Sequence, residues 1–288
     1  MIGVQQFTTG DGLHLAYDDR GTGLPLLCLA GLTRNMADFE PLLAPLAGSC
    51  RLIRLDTRGR GLSDHDPDYM NYNVLREAHD VLELLDHLGI DKVAILGTSR
   101  GGLIAMALAA MHRERLLGVI LNDVGPEVGT QGMTRIMEYV GIPPAETSYE
   151  AITDRLLRSF AEEFPGVSRA QWRQAAERMW RETPEGLALR YDPLLRRALI
   201  EQSAAGAAPD LWLFFDQLKE LPATVLHGEH SDILSAATVE KMRARHPDLV
   251  AVTVRDRGHT PFLDEPECLS AIRAFVADRK STRLNSSH

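Results

Sequence analysis

The chain has 288 residues, 44% of them hydrophobic and 25% charged, with 31 Lys plus Arg against 40 Asp plus Glu and a formal charge of -9. A chain of this size and balance supports a full apolar core without staples, and its negative charge, with no basic face interleaved with aromatics, argues against nucleic acid as a partner. No apolar run approaches the ~20 residues of a bilayer span, the N-terminus carries neither a basic leader nor an apolar signal core, and Cys28, Cys50 and Cys268 have the odd number and wide spacing of buried thiols rather than of a bridge or zinc site.

Gly10-Asp-Gly12 precedes an alternating stretch at 13–17 and reads as the turn of an antiparallel hairpin. From Pro25 the pattern changes to strand-length runs that are apolar on both faces, at 26–29, 52–55, 93–96 and 119–121, as in a parallel sheet covered by helices. Between them, residues 73–88 place Val74, Ala78, Val81, Leu82 and Leu85 on one helical stripe, with Glu77, Asp80, Glu83 and Asp86 opposite. Residues 103–111 are apolar all round, which predicts a buried helix. After Asn122-Asp-Val-Gly-Pro126 the alternation stops, and residues 127–217 read as helices broken by Pro and Gly. Strand and helix then alternate again: 224–226, 236–245, 250–254 and a closing helix over 266–277. The predicted architecture is α/β, an eight-stranded, mostly parallel sheet flanked by helices, with a core of 1–126 and 218–280 and a helical cap of 127–217 inserted after the sixth strand. The polar stretch 281–288 loses the helical periodicity and is expected to be an appended or disordered tail.

Gly97-Thr-Ser99-Arg-Gly101 lies where the strand ending at Leu96 meets the buried helix. A serine at such a turn is held in a strained backbone with its hydroxyl presented, and glycine two residues to either side leaves room for the neighbouring chain. The hydroxyl needs a base to take its proton. His259, in Asp256-Arg-Gly-His259-Thr-Pro-Phe262, is the candidate, because its loop joins the last strand to the last helix at the strand ends where Ser99 emerges. His14 falls in the hairpin, and His79, His87, His112 and His246 lie on or beside helices. For the orienting acid, Asp232, in Leu226-His-Gly-Glu-His-Ser-Asp232, gives the chain order Ser, Asp, His; Asp123 after the sixth strand is the alternative and Glu229 a third.

Four segments in order, Leu29-Ala-Gly31-Leu32, Asp56-Thr-Arg58-Gly-Arg-Gly61-Leu-Ser63-Asp64, the serine elbow, and Gly258-His259-Thr-Pro261 with Glu265-Pro-Glu267, resemble the α/β-hydrolase fold family in its cap-bearing, serine esterase-like branch. The likeness runs from Phe7 to Ala277. It implies Ser99 as nucleophile, His259 as base, Asp232 as acid and an oxyanion hole made by the backbone N–H groups of Leu32 and Arg100, with no cofactor and no metal. Two positions depart from the family pattern. Ala30-Gly31 stands where many relatives have His-Gly, so the loop's supporting hydrogen bond must come from elsewhere. Arg100 stands where relatives often carry Met, Gln or Trp; a structural ion pair with an acid such as Asp38 or Asp123 is preferred to a substrate carboxylate, since an unpaired buried guanidinium is costly. Arg58, Ser63 and Asp64 are expected to rigidify their loop.

The implied reaction is hydrolysis of a small carboxylic ester through an acyl-enzyme; a lactonase or carbon–carbon bond hydrolase with the same triad is the alternative, and a catalytically silent ligand receptor the alternative of another class. Serine rather than aspartate at the elbow argues against dehalogenases and epoxide hydrolases. Arg34, Trp172, Trp180 and Trp212 are the substrate-binding candidates, although for the insert's aromatics, the three tryptophans with Phe160, Phe164, Phe214 and Phe215, packing of the insert's own core is the preferred reading and a position over the pocket the sharper one. The expected setting is cytoplasmic, as a monomer or homodimer, with a small ester or lactone as partner and neither nucleic acid nor membrane.

Overall fold

The apolar runs build the centre of one eight-stranded sheet in the computed structural model, which describes residues 3–206 and 209–285. Gln5–Thr8 (β1) and His14–Arg20 (β2) form the edge hairpin, followed by Pro25–Leu29 (β3), Arg51–Leu55 (β4), Val93–Thr98 (β5) and Leu116–Asn122 (β6). Trp180–Thr183 (β7) and Gly186–Leu189 (β8) pair with each other in the insert, and Ala223–Gly228 (β9) and Val250–Val254 (β10) complete the main sheet. Its order is β1-β2-β4-β3-β5-β6-β9-β10; β2 runs antiparallel to both of its neighbours, β1 and β4, and every other neighbouring pair is parallel. Every residue of β3, β5 and β9 is buried, as runs apolar on both faces require.

Glu40–Leu43 (α1), Val74–His87 (α2) and Arg100–His112 (α3) follow their strands. Asn73 caps α2 by accepting a hydrogen bond from the Arg76 N–H. The stripe of Ala78, Val81, Leu82 and Leu85 packs into the main core, and so does the middle of α3, from Ile104 to Ala109. The face opposite that stripe departs from expectation: Glu77 and Asp80 are fully buried, at 0% exposure. Burial is tolerated because each carboxylate meets a guanidinium, Glu77 those of Arg60 and Arg100 and Asp80 that of Arg58.

The insert after β6 contains Thr130–Tyr139 (α4), Tyr149–Ser159 (α5), Arg169–Met179 (α6), the β7–β8 hairpin, Leu195–Ala204 (α7) and Leu211–Phe215 (α8). The hairpin replaces the helix break expected there; its turn at Thr183-Pro-Glu-Gly186 uses a glycine at φ 125°. Ala236–Arg245 (α9) and Pro266–Asn285 (α10) close the chain. The last helix runs on past Ala277 into the stretch expected to be a tail, because 278–285 hold no Gly or Pro to stop it. Residues 286–288 lie outside the described residues. Cys28, Cys50 and Cys268 are buried and unbridged, and no helix among the described residues is long and apolar enough to cross a membrane.

Candidate active site

Ser99 sits between β5 and α3 with φ 50° and ψ -114°. Two close approaches force this turn to be flanked by glycine. A Cβ on Gly97 would strike the Gly101 carbonyl, and one on Gly101 would strike the Leu29 carbonyl at the end of β3. The Ser99 N–H donates to the Asn122 carbonyl at 3.0 Å, so the elbow is pinned to the end of β6.

His259 arrives on the β10–α10 loop. Its Nε2 lies 3.0 Å from Ser99 Oγ and its Nδ1 2.7 Å from Asp123 Oδ2. The neutral imidazole with its proton on Nδ1 fits both partners: Nδ1–H donates to the carboxylate and Nε2 accepts from the hydroxyl. The loop is secured from below by Asn122, whose Nδ2 donates to Thr98 Oγ1 at 3.1 Å and to the Pro261 carbonyl at 3.3 Å. Above, Phe262 stacks on Phe164 of the insert at 5.3 Å and meets Trp172 edge-on at 5.5 Å.

The carboxylate at His259 is therefore Asp123, and the expectation of Asp232 is corrected. Asp123 is completely buried, at φ 55°, directly after β6. Besides His259, the Gly228 N–H donates to its Oδ1 at 2.8 Å and Ser231 Oγ to its Oδ2 at 2.6 Å. Asp232 is turned the other way. Its main chain packs against Gly129 and Gly132 at the start of α4, and its carboxylate meets Arg135 of that helix at 2.8 Å. Arg135 also pairs with Glu163, at 2.8 Å. Glu229, the third candidate, accepts from the Asp256 N–H on the surface. Ser231 escaped sequence reasoning, since a serine beside a candidate aspartate carries no signal of its own.

Gly31 places the β3–α1 loop against the elbow: a Cβ there would lie 3.7 Å from Ser99 Cβ and 3.4 Å from Arg34 Cγ. Arg34, about a quarter exposed, uses its Nε and Nη2 edge on Asp38, at 2.7 and 2.6 Å. That pairing takes Asp38 away from Arg100. Arg100 instead forms a two-pronged ion pair with Glu77, Nε to Oε2 at 2.7 Å and Nη2 to Oε1 at 3.0 Å, and also reaches the Tyr72 carbonyl. The expected ion pair is present with a partner that neither Asp38 nor Asp123 supplies, because the guanidinium points back under α3 toward α2.

The three tryptophans do not gather at Ser99. Trp172 and Trp180 are buried in the insert's own core, Trp172 stacked on Phe160 at 5.6 Å. Trp212 lies on a surface groove with Glu127, Lys241 and Arg245, its Nε1–H donating to Glu127 at 3.1 Å under the Arg245 guanidinium. Trp172 and Trp180 thus follow the packing reading, since an insert of short helices needs large aromatics for a core of its own, and Trp212 packs against the main core beside Phe215. Among the described residues the one group with metal-ligand geometry, Glu229, His230 and Asp256, is wholly exposed and shares no residue with the Ser99–His259–Asp123 chain.

A covered parallel sheet with a serine at the strand-to-helix elbow and a histidine delivered by the last loop defines an α/β hydrolase. The sequence matches the α/β hydrolase family over residues 26–268, and the chain belongs to that family. It is 34% identical to a 3-hydroxybutyrate-oligomer hydrolase of Cupriavidus necator, over 95% of this chain and 97% of that protein. It is 28% identical to a 2-(acetamidomethylene)succinate hydrolase of Mesorhizobium japonicum, over 90% of each. Among solved structures, an α/β hydrolase from Novosphingobium aromaticivorans superposes with a TM-score of 0.88 at 39% identity, covering 96% of this chain and 98% of that one.

Proposed function

We propose that the protein is a serine hydrolase that cleaves a small carboxylic ester, with Ser99 as nucleophile, His259 as general base and Asp123 as the acid that orients it. The observation that carries this reading is the unbroken hydrogen-bond chain Ser99 Oγ to His259 Nε2 and His259 Nδ1 to Asp123. His259 takes the Ser99 proton as the oxygen attacks the ester carbonyl. The backbone N–H groups of Leu32 and Arg100 receive the oxyanion. The imidazolium, steadied by the buried Asp123, protonates the departing alcohol, and water activated by the same histidine then releases the acid from the acyl-serine.

The substrate class in this reading is a short ester that also bears a free carboxylate. Two relatives support it, since hydroxybutyrate oligomers and a substituted succinate are both carboxylates. Arg34 is the candidate partner: its stem packs against Gly31, which itself abuts Ser99, and Asp38 holds the Nε and Nη2 edge of its guanidinium.

The test is hydrolysis of a chromogenic ester series, with and without an ω-carboxylate, beside lactones of matched length. Ser99→Ala is expected to lower kcat about 10⁶-fold, and a fluorophosphonate should form its adduct on Ser99. Activity of Ser99→Ala equal to the parent's overturns the assignment of Ser99 as nucleophile, and an absence of labelling at Ser99 overturns the reading in favour of a ligand receptor. Arg34→Met should raise KM for the carboxylate-bearing esters about tenfold and leave neutral esters alone.

A further inference from the structure

We propose that Arg60 and Glu77 are positioning residues that fix both backbone donors of the oxyanion hole through one buried ionic relay. The proposal rests on the reading of Leu32 and Arg100 as those donors. The relay can be followed atom by atom. Arg60 Nε donates to the Leu32 carbonyl at 2.7 Å. Arg60 Nη1 donates to the Arg58 carbonyl at 2.7 Å and to Glu77 Oε1 at 2.9 Å. Glu77 in turn holds Arg100 by both oxygens. The two residues whose N–H groups must converge on one oxygen come from different loops, after β3 and after β5, and these side chains join them over a path that excludes water: Glu77 is 0%, Arg60 1% and Arg100 9% exposed.

The relay answers a need visible in the sequence. Ala30 has no side-chain hydrogen-bonding group with which to brace the Gly31-Leu32 turn. Arg60 supplies the brace from across the site, and the isolated bridge between Arg60 and Tyr191 fixes the arginine's own backbone. A guanidinium is suited to this work because its rigid fork reaches a carbonyl on one edge and a carboxylate on another.

Stability alone does not account for the arrangement. Two guanidiniums face one carboxylate, so the relay carries an excess positive charge out of water, and Arg60 Nη2 is buried with no hydrogen-bond partner among the described residues. Burying an unsatisfied donor and an unbalanced cation costs stability. Burial pulls the Arg60 guanidinium below its ordinary range and the Glu77 carboxylate only partly compensates, while Arg100 and Arg60 together outweigh burial and hold Glu77 below the usual carboxylate range. The excess charge sits on Arg100 itself and on the arginine that holds Leu32, and preorganised positive potential near a developing oxyanion lowers the barrier.

The experiment compares Arg60→Lys, Glu77→Gln and Arg100→Gln with the parent, normalised by active-site titration with a fluorophosphonate. Lysine keeps the charge of Arg60 but its single ammonium lacks the fork that spans Leu32, Arg58 and Glu77. The expected result is a fall in kcat of about 10- to 100-fold for Arg60→Lys and Glu77→Gln, the scale of displacing a catalytic group by a fraction of an ångström to an ångström, with KM within about threefold. Affinity for a trifluoromethyl ketone, which forms an oxyanion on Ser99, should weaken in the same proportion as kcat/KM, a coupling that mere loss of folded protein does not produce. Arg76→Gln, which removes a guanidinium paired with Asp11, Asp80 and Glu83 and not with Glu77, should leave kcat and ketone affinity at parental values. Should Arg60→Lys and Glu77→Gln fail to fold, Arg100→Gln decides the matter, because it leaves a neutral Glu77–Arg60 pair; a threefold to tenfold loss of kcat with matching loss of ketone affinity is expected. Folded variants with parental kcat and ketone affinity overturn the relay while labelling of Ser99 stands; loss of labelling in the parent overturns the reading of the site instead.

Discussion

Two loops at the ends of adjacent strands each offer a carboxylate to the histidine, and only one delivers it. The loop after β6 turns at Asp123 with a positive φ and drives the side chain inward, to complete burial among the Gly228 N–H, Ser231 Oγ and His259. The loop after β9 carries Asp232 at the foot of the insert, where its backbone is wedged against Gly129 and its side chain turns to Arg135, 18% exposed. Position at a strand end is thus insufficient for an orienting acid. What matters is desolvation together with enough donors to satisfy both oxygens, which fixes the carboxylate and makes its pull on the imidazole strong.

Replacement of the acid itself breaks the comparison most sharply. Asp123→Asn keeps the shape but presents an amide that no longer stabilises an imidazolium and favours the wrong tautomer, and kcat is expected to fall about 10⁴-fold. Steady-state kinetics on the best ester of the series measures it. A fall of less than tenfold would place the orienting charge elsewhere.

A reciprocal exchange sharpens it. Ser231 Oγ lies 2.6 Å from the Asp123 oxygen that faces His259, so a carboxylate at 231 comes within reach of Nδ1. Asp123→Asn combined with Ser231→Asp should recover about 10²-fold of the activity lost by Asp123→Asn alone, through restored charge at slightly altered geometry. Activity no higher than that of the single variant would show that the backbone at 123, and not merely the charge, sets the histidine.

What the sequence disclosed follows the same division. Ser99 and His259 were legible because backbone mechanics announce them: glycines that no Cβ can replace, and a loop between the last strand and the last helix. The apolar strand runs were legible because both faces are buried. The choice between Asp123 and Asp232 was not, since either follows a strand and the deciding facts are a left-handed φ and the hydroxyl of Ser231 in a distant loop. Glu77 and Asp80 look like the solvent face of α2, as charge periodicity takes no account of Arg58, Arg60 and Arg100 arriving from other segments. The aromatics of the insert could be read either way: Trp172 and Trp180 serve a small core of their own, and nothing in a tryptophan's spacing says which side of a thin layer it faces.

Ser231→Ala removes one of three donors from a buried carboxylate. A hydrogen bond to a charged group contributes about 1.5–3 kcal/mol, and the Gly228 N–H and His259 retain most of the orientation, so kcat should fall about tenfold with KM unchanged. Equal activity in the variant would mean that Ser231 braces only its own loop, through the Ile233 and Leu234 N–H groups that its oxygen also accepts.

The smallest effect is expected at the rejected acid. Asp232→Asn leaves the Asp123 carboxylate untouched, so kcat should stay within about threefold of the parent. Its ion pair with Arg135 ties α4 of the insert to the loop after β9, and both partners are partly open to water at 32% and 18% side-chain exposure. Such a pair contributes about 1 kcal/mol or less, a drop of roughly 2–4 °C in Tm for a domain of this class. The contribution should shrink as salt is raised, because ions screen charges that water already reaches. Thermal melts of parent and variant at low and high salt read this out directly: the gap in Tm should narrow at high salt while the kcat ratio stays constant. A kcat loss approaching that of Asp123→Asn would return the orienting role to Asp232 and place the side chain of Asp123 in a supporting part.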